Sequence, residues 1–181
     1  MKHIRHRIKR PRPTGRHGSV MPVAIGFALG AALSAAGIKI LGAGFDFGFL
    51  AGDGGSVWEV FFSCVIFHLA VILSASSTLG FVLIPAADFL CGGALAYKSA
   101  AIISAVNAAS ALKIVMAVVL PALLIVPPLF IISADGVRLS GLIRSGGGNG
   151  QRAHAAGSFV IEATASLIMA LLAAGYIHYL L

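Results

Sequence analysis

The stretch that decides the fold is Leu79–Ala105, LGFVLIPAADFLCGGALAYKSAAIISA. A helix crosses the hydrocarbon core with roughly 20 mainly apolar residues, because the core is about 30 Å thick and the rise is about 1.5 Å per residue. This stretch has the length, yet Pro85, Asp88, Gly92, Gly93 and Lys98 interrupt it. Read as a crossing that opens with a bent or re-entrant piece around Gly80–Pro85, it makes the chain a five-span protein. Read as re-entrant throughout, it leaves four spans.

Around it lie four plainer apolar runs, at about 20–41, 57–75, 113–132 and 158–181. The whole chain is 59% hydrophobic and 10% charged over 181 residues, with a mean hydropathy of +0.98. Soluble domains carry about 25% charged residues, so an ordinary globular core is excluded. The expected fold is all-α, a polytopic membrane bundle of about five helices. A basic tail (1–19) precedes a membrane domain (20–181), and a Gly-rich cytoplasmic loop is expected over 134–157.

Charge bias favours five spans. Lys2, Arg5, Arg7, Lys9, Arg10, Arg12 and Arg16 place seven of the 13 basic residues in a start that contains no acid. Short basic segments stay in the cytoplasm, so the N-terminus is inside and the loop with Asp46, Asp53 and Glu59 outside. Five crossings also put Arg138, Arg144 and Arg152 inside; four would put them outside. The first run is too long for a cleaved signal sequence and is expected to remain as an anchor. Trp58, Tyr176 and Tyr179 fall where aromatics mark the membrane interface. Orientation accounts for the basic tail, so no nucleic-acid partner is inferred from it.

Chemistry-bearing motifs are scarce. There is no HExxH, GxSxG or pair of intramembrane aspartates, and Ser145–Gly150 lacks the Lys and Ser/Thr that end a phosphate-binding loop. Cys64 and Cys91 lie in apolar runs and resemble neither a disulfide framework nor metal ligands. No catalytic residue, cofactor or metal is expected, and the protein is not expected to be an enzyme.

Small residues at four-residue spacing, or a multiple of it, describe a tight bundle: Gly26, Gly30 and Ser34 in the first run, Gly92, Ala96, Ala100 and Ser104 in the third, Ser158, Ser166, Ala170 and Ala174 in the fifth. The candidate polar positions inside the membrane are His68, Asp88, Lys98 and Glu162. Asp88 follows Pro85 closely enough to cap a helix, Lys98 has the reach to snorkel, and His68 is placed for an interhelical hydrogen bond. Glu162 and His178 share a face but stand about 24 Å apart.

From Ser74 to Ser140 the order is specific. A polar turn, Ser76-Ser77-Thr78-Leu79-Gly80, leads to Leu83-Ile84-Pro85, then Phe89, the Gly92-Gly93 pair, Leu95 and Tyr97, and then a span with Pro121 and Pro127 leaving through Ser133 and Ser140. This pattern resembles the stage II sporulation protein M family, with Cys91 standing where a basic residue is expected. The signature positions are Gly80, Pro85, Phe89, Gly92, Gly93, Pro121 and Pro127. The resemblance implies a non-enzymatic scaffold in the bacterial plasma membrane. It would localise peptidoglycan-degrading machinery, with the stage II sporulation proteins D and P as partners, at the septal and engulfing membrane. Homo-oligomers are compatible with it. The rival expectation is a small permease or transporter subunit using Asp88 and Lys98 in a broken-helix site.

Overall fold

A computed structural model describes residues 16–40, 57–105 and 115–180. The basic tail up to residue 15, the acidic loop with Asp46 and Asp53, Lys113, and the side chains of Trp58, Glu59, Cys64, Ser104 and Tyr179 lie outside the described residues.

Among the described residues everything is helical apart from two short turns, at 76–79 and 145–148. The helices are α1 (Arg16–Ile40), α2 (Val57–Ala75), α3 (Gly80–Ala105), α4 (Leu120–Arg144) and α5 (Asn149–Leu180); a π-helical turn, Val115–Val119, runs directly into α4. In lipid every backbone N–H and C=O must find a partner within the chain, and a helix achieves this segment by segment. Four helices carry windows long and apolar enough to cross a membrane: Ser19–Ala36, Gly80–Ala100, Leu120–Arg144 and Asn149–Tyr176. The described part of α2 adds the shorter apolar stretch Val65–Ala75. The chain is a membrane-type helical bundle.

Three sequence expectations are corrected. Gly80–Ala105 is one continuous helix with Pro85 inside it, so no separate re-entrant piece precedes the third span. Pro85 is the sixth residue of α3, past the first turn, so it removes the N–H that would bond the Phe81 carbonyl, and packing against the neighbouring helices holds the segment helical.

The expected loop over 134–157 is also replaced by helix. α4 runs on to Arg144 and α5 starts at Asn149 rather than near residue 158. The polar content of 134–144 suggested a loop, but Ala134, Asp135, Gly136, Leu139, Ser140 and Leu142 form a buried face while Arg138 and Arg144 point outward. Helical periodicity therefore persists beneath the charges.

Finally, within that expected Gly-rich loop, the glycine run is a helix stop. Gly146 adopts φ 69°, Gly147 N–H reaches Leu142 O (3.0 Å) and Gly146 N–H reaches Ile143 O (3.4 Å). That pair of bonds closes the last turn of α4 in a Schellman motif, which calls for a left-handed residue that glycine supplies without strain.

α5 has 32 residues, about 48 Å at 1.5 Å per residue, so it is longer than the ~30 Å hydrocarbon core. α4 occupies the centre of the bundle and touches all four other helices; α1 packs mainly on α3, and α5 packs on α2 and α4. Outward positions such as Leu33, Leu73, Ile161 and Leu172 are exposed and apolar, while Ser133, Ser140, Asp88 and His68 are fully buried. This inside-out distribution suits a lipid surround.

Candidate functional site

The junction of α1, α3 and α4 gathers most of the residues singled out from sequence. α1 and α3 run parallel, and their glycines let one backbone rest on the other. A Cβ built on Gly26 would stand 2.6 Å from Pro85 O; one on Gly30 would overlap Phe89 O, and one on Gly92 would overlap Phe27 O. The contact is reciprocal, since glycines of each helix face carbonyls of its partner. Approach this close strengthens dispersion and permits Cα–H···O contacts, the main sources of helix association where lipid removes the hydrophobic drive. Phe27 then meets Phe130 of α4 edge to face, with ring centroids 5.1 Å apart, so all three helices lock at one level.

α3 and α4 run antiparallel and are joined by serines. Ser133 Oγ donates to Asp88 Oδ1 at 2.9 Å in a fully buried pair. Ser140 Oγ accepts from Phe81 N–H (3.2 Å) and donates to Ser77 O (2.8 Å). Seven residues separate the two contacts on both helices, which returns each to the same helical face. Between them Gly136 lies under Ile84, Ala75 and Phe159, and its hypothetical Cβ would come within 2.9 Å of Ile84 Cδ1. Gly80 is equally confined, against Ser74 O and the Ser140 side chain. At the same end Arg144 lies over the Phe81 ring, 4.6 Å from its centroid. The start of α1, the 76–79 turn and the 145–148 turn thus share one end of the bundle with Arg138, Arg144 and Arg152.

At the opposite end a tyrosine replaces a missing donor. In the π turn the Met116 carbonyl looks five residues on, to Pro121, which has no N–H. Tyr176 Oη donates to that carbonyl instead, at 3.0 Å.

Of the signature positions, Gly80, Pro85, Phe89 and Gly92 make interhelical contacts; Gly93 is buried beside them, Pro121 opens α4, and Pro127 lies inside it. Asp88 does not cap α3. The helix begins eight residues earlier, at Gly80, and the carboxyl is used between helices. His68 is fully buried on α2, Glu162 half-buried on α5 and Lys98 half-buried on α3. Asp88 and Lys98 are not brought together: ten residues on one helix separate them by about 15 Å and turn them about 80° apart. Sequence reasoning missed Ser133, Gly136 and Ser140 as a set, although their three- and four-residue spacing is the same small-residue signal that marked α1. Among the described residues no group of three His, Cys, Asp or Glu side chains is placed to hold a metal ion.

Compared with protein-family models, curated proteins and solved structures, the chain matches none.

Proposed function

We propose that the protein is a non-enzymatic multipass scaffold of the bacterial plasma membrane, which holds peptidoglycan-degrading proteins in place during spore engulfment. One observation carries the reading. Each signature residue with a described interhelical contact (Gly80, Pro85, Phe89, Gly92) packs backbone to backbone or backbone to serine, and so serves the rigidity of the bundle. A rigid apolar bundle suits the task of presenting helix faces and an outer loop to partners. The stage II sporulation proteins D and P are the partners that the sequence resemblance suggests. The permease reading needs Asp88 and Lys98 in a common site, and their separation along α3 weighs against it.

The test is a mild-detergent pull-down of the tagged full chain from its own host, in vegetative growth and at the onset of sporulation. Peptidoglycan hydrolases recovered only in the sporulating sample, and lost with Gly92→Leu, support the scaffold. Recovery of an ATPase or solute-binding protein in growing cells transfers the chain to the transport class.

A further inference from the structure

Asp88 has no exposed surface. Its Oδ1 accepts the Ser133 hydroxyl, while Oδ2, equally buried, receives no hydrogen bond. A carboxylate inside lipid is tolerated where something neutralises it and fills its acceptor positions, and one neutral hydroxyl does only part of this.

The ionisable groups on the elements packed against α3 are few. α4 brings buried Asp135 and exposed Arg138; α2 brings buried His68, which the helical rise places at nearly the same height above the 76–79 turn as Asp88. Arg16, His17 and Lys39 of α1 stand at its ends, and Tyr97 and Lys98 lie nine and ten residues further along α3.

From this arrangement we infer that Asp88 and Ser133 form an exchangeable monovalent-cation site inside the bundle, with a proton or an alkali-metal ion taken up on the open Asp88 Oδ2. A single positive charge balances the single carboxylate, whereas a divalent ion would leave a net charge in lipid. The donors are hard oxygens, which suit a proton or an alkali ion and not a soft metal. The site is independent of the scaffold reading, since it rests on α3 and α4 alone.

The test uses the full chain in phosphatidylcholine vesicles and infrared difference spectra between acid and alkaline buffer, in choline chloride and in sodium chloride. The expected result is a carboxylic C=O band that converts to carboxylate bands as pH rises and is lost in Asp88→Asn. A conversion unaffected by sodium identifies the proton as occupant; one moved to lower pH by sodium identifies the alkali ion. Ser133→Ala retains the carboxyl and is expected to shift the band's frequency, which assigns it even where Asp88→Asn fails to fold. Asp88-dependent bands that stay constant across pH in both salts overturn the proposal, and such a result leaves the pull-down test of the scaffold untouched.

Discussion

Ser133 and Asp88 join α4 to α3 across the middle of the bundle, through a 2.9 Å hydrogen bond with both residues fully buried. Seven residues nearer the basic end, Ser140 repeats the connection to the backbone of Phe81. The two serines therefore fix the register of an antiparallel helix pair in which lipid supplies no hydrophobic drive. Ser133→Ala leaves Asp88 Oδ1 without its donor and is expected to lower stability by about 1–3 kcal/mol, the cost of an unsatisfied buried polar group. Denaturation in mixed micelles measures it, and a double-mutant cycle with Asp88→Asn should show non-additivity. Fully additive losses would mean that the pair is not coupled.

Ser140→Ala removes two bonds at once, one to the first turn of α3 and one to the 76–79 turn. Amide exchange at Phe81 and in the turn is expected to accelerate, while exchange in the α1–α3 seam stays unchanged. Uniform acceleration throughout the bundle would argue against a local pin.

Gly30→Leu forces a side chain into the Phe89 carbonyl, and a backbone cannot swing aside as a long side chain can. The expected loss is about 3 kcal/mol, at the upper end of overpacking costs, or failure to assemble. Gly141→Ala is the contrast: nothing lies within 4 Å of the added methyl, so it should stabilise α4 by roughly 0.5–1 kcal/mol through helix propensity. The same unfolding assay reads both, and equal effects would contradict the seam.

Gly146→Ala places a Cβ on a left-handed residue and is expected to cost about 1–2 kcal/mol, although the methyl meets no neighbour. Asn, which tolerates this conformation better, should recover part of the loss. A neutral Gly146→Ala would show that α4 ends in some other way.

The sidedness is tested by single cysteines in a chain lacking Cys64 and Cys91. Ser76→Cys and Asn149→Cys lie at the same end of the bundle and should both be protected from an impermeant thiol reagent in intact cells. Labelling of either would reverse the orientation set by the basic residues.

The sequence by itself determined that the chain belongs in a membrane, that it is helical, and where small residues let helices approach closely. Those features follow from composition and local periodicity, because lipid demands apolar surface and a backbone that satisfies itself. The row of Gly26 and Gly30 was legible for the same reason, since a four-residue spacing marks one helix face whatever lies opposite. Only the tertiary structure decided that Gly30 faces the Phe89 carbonyl, that Asp88 meets Ser133 rather than capping its own helix, and that Ser140 holds two other segments together. It also decided that 134–144 continues α4. Arg138 and Ser140 made this segment look like a loop, and the difference between a charged loop and a helix with one charged face lies in what packs against the other face. Pairings between helices depend on axial register and rotation. Those are fixed by contacts between residues far apart in the chain, and no local pattern encodes them.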